Sequence, residues 1–575
     1  MKNILYIFLP CKQIYPVGCT YLADYVHKRR PEVRQRILDL SQIPPGERSK
    51  AIRETAENVR PDLVCFSWRD IQIFSPHEGD ASLEQAFNFY YSPNPFKKLA
   101  ASLSGLKSLY QYYAGIRTNL AHVWLIRKIC PDARIMIGGG AFGAFAEQLI
   151  EKLPEGTIGI LGEGEEAVLK MVEGRPLDGE RFIATENGKT ITGAGQSYTK
   201  LDDLAVDLPY IASIFPQHIA YRDDCIGVQS KRGCPYDCAF CLYPYLEGKS
   251  VRYRPAALVV QDIAQHYRQW GTRRFWFTDA QFITGKAAYP QCTEIMERII
   301  AERLEIEWSG YIRTSLITSE LATLMVRSGV GDLEVAITSG SQEVLNSLHM
   351  GFMLDRLYDG CRYLAEAGFR GKVILNYSLN APDETEATLR DSIESYKRVA
   401  AILGEDRVFP MMFFLGIQPH TDLEHRLLEE GYLSSGYNPL MLSPSSIRKL
   451  LYNPAPLNKL IGRACLAAWN RKKGLRTGSR DPRPWSGAIG KGTRPPGQEP
   501  VLAGLGRAGV MTSGAGGCKT EGSSPALDVG GSRYADTSIL RGVELNSGRD
   551  VLVTLEEILN SRKSPVKTVA STPSL

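Results

Sequence analysis

The chain of 575 residues contains no run of eighteen consecutive apolar residues, so no membrane-spanning helix is predicted. Its twelve cysteines are too few for a disulfide framework in a chain this long, and most read as small buried hydrophobes. None of the eight histidines has a metal partner at ligand spacing. His420, at a predicted strand end, reads as a core or surface residue. The start Met1-Lys2-Asn3-Ile4 enters a strand directly, which predicts no signal peptide and a cytoplasmic protein. Net charge is small, +5. The segment 471–500 holds eight Lys or Arg against Asp481 and Glu499, so the excess belongs to that segment. The rest of the chain gives no electrostatic argument for nucleic acid.

Apolar content is ordinary and the length exceeds one domain, so two or three cores are expected. From about Arg471 to Ser547 periodicity stops, and glycine, serine, proline and arginine dominate. Such composition cannot bury a core, so 471–547 is expected to be a disordered insertion. Val551–Leu559 regains helical periodicity, which predicts a short helix and tail over 548–575.

Against this background three cysteines stand out: Lys231-Arg232-Gly233-Cys234-Pro235-Tyr236-Asp237-Cys238-Ala239-Phe240-Cys241. The spacing is C-x-x-x-C-x-x-C. A structural zinc site shows four ligands, commonly from paired C-x-x-C units, and no second unit is present. An electron-transfer cubane takes four thiolates, and no fourth cysteine follows at a matching distance. Three thiolates leave one iron open. Strand-like runs then alternate with helix-length spacers: Cys225–Ser230, Arg274–Asp279, Trp308–Arg313, Leu333–Thr338, Val373–Leu379 and Met411–Gly416. This alternation predicts a parallel sheet with crossover helices, and chemistry at the carboxyl ends of its strands.

The triplet, with an aromatic before its last cysteine, resembles the radical S-adenosylmethionine (SAM) superfamily. The resemblance implies a partial (β/α)6 barrel over 218–435 and an extension over 436–470. It also implies a 4Fe–4S cluster on Cys234, Cys238 and Cys241, whose open iron chelates SAM, reductive cleavage to a 5′-deoxyadenosyl radical, and an electron donor such as ferredoxin or flavodoxin. Phe240 then packs against the adenine. Phe277-Thr278-Asp279-Ala280 resembles the turn that approaches the SAM amino group, which marks Thr278 and Asp279. Ala336–Ser341 resembles "G-I-E-S-G-S" with Thr338 in place of the usual glutamate. Asn380–Thr385 and Gln418–Thr421 resemble two further landmarks in the same order.

Residues 1–200 alternate strand and helix on their own: Asn3–Leu9, Arg36–Leu40, Pro61–Ser67, Arg134–Ile137 and Thr157–Leu161. This doubly wound, Rossmann-like α/β pattern resembles the cobalamin-binding-type domain that precedes many radical SAM cores. Gly138, Gly139 and Gly140 after a strand would let bare backbone approach a ligand. The D-x-H-x-x-G motif that supplies a histidine below cobalt is absent, because Asp39 is followed by Leu40-Ser41-Gln42. Any cobalamin here is expected base-off. An insert at about 70–129 carries Phe87, Phe89, Tyr90, Tyr91, Tyr110, Tyr112 and Tyr113. It reads as a helical subdomain with an aromatic core or as a cap over an apolar substrate.

The segments Ser67-Trp68-Arg69-Asp70-Ile71-Gln72-Ile73 and Phe275–Ile283, with the Phe-Tyr-Tyr stretch at 89–91, resemble one group, the cyanobacterial photosystem II high light acclimation radical SAM proteins. That resemblance implies a photosynthetic, high-light context and names no substrate. The expected function is radical SAM chemistry on a largely apolar small molecule: a tetrapyrrole, isoprenoid or lipid. The alternatives are a cobalamin-dependent radical SAM methyltransferase and an iron–sulfur redox or light-stress sensor without turnover. Thr338 and Ala280 favour the sensor.

Overall fold

A computed structural model describes residues 1–9, 14–69, 74, 79–195, 198–440, 451–478, 542–545 and 548–562. Two seven-stranded sheets organise them.

The first sheet contains β1 (Asn3–Leu9), β2 (Arg34–Asp39), β3 (Leu63–Trp68), β4 (Arg134–Gly138), β5 (Thr157–Ile160), β6 (Arg181–Glu186) and β7 (Lys189–Ala194), in the order β2-β1-β3-β4-β5-β6-β7. The first five pair in parallel. A continuous apolar run suits a strand covered on both faces, and β1 sends alternate residues to opposite sides. Ile4, Tyr6 and Phe8 join one core, and Leu5, Ile7 and Leu9 join another. The order reverses between β1 and β3, and such a switch point opens a crevice at the carboxyl edge. β6 and β7 form an antiparallel hairpin that the strand pattern missed. Its turn is Asn187-Gly188, with φ of 49° and 69°. Both residues lie in the left-handed region that a two-residue hairpin turn demands.

The second sheet lies in the later part of the chain. Its first strand is β8 (Cys225–Val228), followed by the two-residue ladder β9 (Lys231–Arg232) with β10 (Arg252–Tyr253). Then come β11 (Arg274–Phe277), β12 (Glu307–Tyr311), β13 (Val330–Thr338), β14 (Val373–Leu379), β15 (Val408–Leu415) and β16 (Gly542–Leu545). β8 and β11 to β15 lie side by side and parallel, and β16 closes the far edge antiparallel to β15. Each of the six predicted strands is present. Helices Ala256–Gln265, Tyr289–Ala301, Ser319–Arg327, Leu354–Glu366 and Glu386–Leu403 cross over between them. The last begins at a capping box, in which Thr385 and Thr388 satisfy each other's backbone N–H, a local start signal.

The expected insertion boundaries need correction. The helix Asn458–Gly478 continues past Arg471, because Arg471 donates to Thr554 Oγ1 at 2.5 Å and pairs with Glu557. The described residues continue with β16 and the helix Gly548–Ser561. Residues 479–541, the body of the predicted insertion, lie outside the described residues, as do 70–73 at the mouth of the aromatic insert. The insert itself holds the helices Gly79–Tyr91 and Pro95–Ile129. Asn94 caps the second, its Oδ1 accepting from Phe96 N at 2.9 Å and Lys97 N at 3.3 Å. Its aromatics divide. Phe87 packs edge-on against Phe414 of β15 and beside Trp469, and Tyr112 is buried, whereas Phe89, Tyr90 and Tyr110 are exposed.

Candidate active site

The chain leaves β8 at Val228 and turns over the carboxyl end of the second sheet as the cysteine loop. The base of this loop is bolted to Asp279, at the carboxyl end of β11. Asp279 Oδ1 accepts from Ser230 N at 2.7 Å and Lys231 N at 3.1 Å, and its Oδ2 accepts from Ser230 Oγ and from Lys231 Nζ at 3.2 Å. Both partners of this ion pair are buried, so the aspartate has no accepting capacity left for a ligand. The expected contact of Asp279 with SAM is thereby replaced by a positioning role. Gly233 has φ of 90°, and a Cβ there would stand 2.2 Å from Ser250 O. Only glycine makes this turn. Cys234 N then donates to Gly248 O at 3.0 Å, Ala239 N to Leu348 O at 3.0 Å, and Gln418 Nε2 to Phe240 O at 2.9 Å. The loop is therefore gripped from the ends of β13 and β15.

Burial pushes the Cys234 thiol up to about 11 and raises Cys238 and Cys241 as well. Metal must displace these protons to bind. Among the described residues no three His, Cys, Asp or Glu close on a single ion. At Cys238 a cation opposes the burial. Arg313, just past β12, places Nη2 3.5 Å from Cys238 Sγ. Its Nη1 donates to Met350 O at 2.6 Å, and its guanidinium lies 3.5 Å over the Tyr236 ring. Arg313 closed the predicted third strand and was given no role there. A cation at the carboxyl end of a barrel strand was the available signal.

Three buried polar atoms at the ends of β13, β14 and β15 lack protein partners: Thr338 Oγ1, Glu384 Oε1 and Gln418 Oε1. Thr338 is also a β-branched residue at φ of 66°, a conformation that costs energy and recurs at ligand sites. These groups fit a polar ligand such as SAM, and Gln418 is tied to the cysteine loop through Phe240 O. Phe240 is 6% exposed and belongs to one buried apolar cluster with Val344, Leu345 and Leu348.

Thr278 lines a separate cavity nearer the first sheet. A cavity of about 270 Å³ opens at the carboxyl edge of the first sheet and reaches the base of the cysteine loop. Phe8, Ser67, Gly138, Gly139, Gly140 and Gly162 line its first-sheet side, and Arg232, Tyr243 and Glu247 line the opposite one. The glycine set and the switch-point position fit a flat ligand of cobalamin type, and among the described residues no histidine lines the cavity. The three predicted glycines differ in why they are glycine. A Cβ on Gly139, at φ of 100°, would lie 2.3 Å from Trp68 O, whereas a Cβ on Gly138 meets nothing nearer than 3.9 Å. Gly139 is dictated by the neighbouring backbone, and Gly138 leaves space on the cavity side. Asp39 is absent from the lining and is engaged by Ser41, Gln42 and Tyr221.

A buried charge web joins the two halves. Arg232 pairs with Glu163 at 3.0 Å and Glu165 at 2.5 Å, and Arg252 pairs with Glu163. Glu247 accepts from Gly233 N at 3.0 Å, and burial pushes its carboxyl up to about 7. The pattern of strands and motifs gave Arg232 and Arg252 no role, because the glutamates they pair with lie 67 and 89 positions away in the chain.

Residues 228–395 match the radical SAM superfamily. Over 276 residues the chain is 23% identical to an uncharacterized methyltransferase of Pyrococcus horikoshii, a match that takes in 46% of this chain and 59% of the relative. Over 137 residues it is 28% identical to the bacteriochlorophyllide d C-12(1)-methyltransferase of Chlorobaculum tepidum, with 23% and 29% covered. The chain thus spans less than two thirds of either relative. Among solved structures it is similar to the radical SAM methyltransferase TsrM of Kitasatospora setae with cobalamin and a 4Fe–4S cluster bound. The TM-score is 0.58 at 17% identity, covering 75% of this chain and 78% of that one. It is also similar to the cobalamin-dependent SAM radical enzyme OxsB with aqua-cobalamin bound, with a TM-score of 0.58 at 13% identity, covering 84% and 69%. At these identities what is shared is the fold.

Proposed function

We propose, from the premise that residues 228–395 are a radical SAM domain, that this chain reductively cleaves SAM and directs the resulting radical at an apolar small molecule. The observation that carries this reading is the seating of Cys234, Cys238 and Cys241 on one loop, braced by Asp279 and Lys231, over the carboxyl ends of six parallel strands. A three-cysteine 4Fe–4S cluster supplies one electron to the sulfonium when bound there. The protein's own part is to hold the thiolates, to keep Arg313 against Cys238, and to offer Thr338 and Gln418 to the polar groups of SAM. The buried ring of Phe240 keeps water from one side. The electron comes from a small external donor such as ferredoxin or flavodoxin. The test is anaerobic reconstitution with iron and sulfide, then dithionite and SAM, with 5′-deoxyadenosine quantified. Product from the native chain and none from Cys238→Ala is expected. A cluster that forms while SAM stays intact would replace this reading with a redox or light-stress sensor.

A second reading, methyl transfer with cobalamin, is favoured by the cavity beside Gly138. Cobalamin bound there supplies a methyl carrier between SAM and substrate, and Gly138, Gly140, Gly162 and Thr278 are the residues that would border it. With no histidine on the lining among the described residues, its spectrum should be base-off. Cobalamin retained through anaerobic purification, with methylated product, supports this reading. The name of the Chlorobaculum relative makes a tetrapyrrole the first substrate class to try, ahead of isoprenoids and lipids. The resemblance to the high-light-acclimation group suggests a photosynthetic host as the setting.

A further inference from the structure

We infer that the first half of the helix Pro95–Ile129 docks this protein on the surface of an anionic lipid bilayer. Phe96, Leu99, Leu103, Leu106 and Tyr110 are 62% to 79% exposed. Their spacing alternates three and four residues, so they form one straight stripe along the helix. The opposite side carries Ala101, Tyr112 and Ile116, which are buried against the body of the protein. An unbroken exposed stripe of five large apolar side chains marks an interaction surface. Phe89 and Tyr90, at the end of the preceding helix, add two half-exposed rings in edge-to-face contact at 4.9 Å.

Charge identifies the occupant. The helix has six Lys or Arg and no Asp or Glu in 35 residues. Lys97, Lys98, Lys107 and Arg117 are all exposed, with Lys107 and Arg117 on the stripe's side of the helix and Lys97 and Lys98 at its first turn. Two copies of this helix laid together, in either direction, would set cation against cation with no acidic partner on the same element. An anionic headgroup layer neutralises those cations while the leucines enter the acyl boundary. Aromatic rings at the stripe's start suit the interface. From Phe96 to Tyr110 the helix rises only about 21 Å, and no described helix is long and apolar enough to cross a membrane. The helix lies on the bilayer rather than in it.

The experiment is flotation of the full-length protein with phosphatidylcholine vesicles containing about a third phosphatidylglycerol, alongside pure phosphatidylcholine vesicles. The readout is position in the gradient, so it does not depend on catalysis. The native protein is expected to float with the anionic vesicles only, and to be released by high salt. Leu103→Glu with Leu106→Glu should lower partitioning about tenfold or more. Lys97→Gln with Lys107→Gln should lower it about fivefold per charge removed. These exposed positions should leave circular dichroism and Tm unchanged. No flotation of the native protein, equal binding to neutral vesicles, or unchanged binding of the Leu variant would each overturn the inference. So would a dimer in vesicle-free solution that the Leu variant disperses, because that would assign the stripe to a second copy.

Discussion

Arg313 Nη2 stands 3.5 Å from the sulfur of Cys238, held there by Met350 O and the face of Tyr236. A fixed cation and N–H donor on one thiolate favours the more negative, reduced cluster, and hydrogen bonds to sulfur are a main control of cluster potential. Arg313→Gln should therefore make the midpoint potential more negative by roughly tens of millivolts, with iron content retained and Arg313→Lys intermediate. A redox titration followed by electron paramagnetic resonance measures it. An unchanged midpoint in Arg313→Gln would show that the contact plays no redox part.

Each of Cys234→Ala, Cys238→Ala and Cys241→Ala should abolish the cluster, leaving no 4Fe–4S absorption and little bound iron. Cys292 donates to Phe282 O at 3.1 Å and Cys361 is fully buried in the core. Replacing either by serine should leave the iron count at about four per chain. Full iron content in any one of the first three variants would remove that residue from the ligand set.

The glycines by the first sheet should separate under substitution. Gly139→Val forces a side chain against Trp68 O and a left-handed φ, so loss of soluble protein is expected whether or not a ligand binds. A Cβ at Gly138 would make only ordinary contacts, with Ile160 O no nearer than 3.9 Å, and Gly138 lines the cavity. Gly138→Val should fold, keep its cluster, and lose cobalamin uptake by about tenfold or more. Equilibrium dialysis against hydroxocobalamin reads this, and full uptake by Gly138→Val would place the ligand elsewhere.

Glu334, in the middle of β13, is fully buried, and burial pushes its carboxyl up to about 8 from an ordinary 4.5, against hydrogen bonds from Asn376 and Tyr311 that lower it. The folded protein keeps the proton while the unfolded chain gives it up. Its contribution is thus present below pH 4.5 and is lost progressively as pH rises from there to about 8. Glu334→Gln removes this slope. The variant should gain on the native protein between pH 5 and 8 by on the order of 2–4 kcal/mol, read as the difference between two urea-melt series. Parallel curves would mean that Glu334 is ionised in the fold.

The sequence shows most readily what local pattern encodes. The six barrel strands are legible because apolar runs such as Val373–Leu379 coincide with paired strand residues. The triplet is legible because its spacing is short and its loop follows a strand. The Asn187-Gly188 turn was available as a hairpin signal and was overlooked beside the stronger apolar runs. Other features are not local. Asp279 looked like a ligand contact because nothing in Phe277–Phe282 reveals that Ser230 and Lys231 fill both its oxygens. Gly139 looked like a ligand platform because the obstructing atom, Trp68 O, comes from a neighbouring strand. The composition change near Arg471 was legible, but the helix runs on to Gly478 because its partners, Thr554 and Glu557, lie beyond the altered segment.

That last pairing bears on how the polypeptide could be divided. The helix Asn458–Gly478 and the helix Gly548–Ser561 share one apolar interior, through Ile461, Cys465 and Trp469 on one side and Val551, Leu555 and Leu559 on the other. Glu556 also reaches Lys397, and Arg390 donates to Leu559 O at 2.6 Å. The fragment after residue 541 therefore has its own adhesive face and its own ladder to β15. Nicked anywhere within 479–541, the two pieces should stay associated. Expressed as separate polypeptides, they should reassemble into a working whole, as complementing fragments do when the break falls between elements that pack on each other.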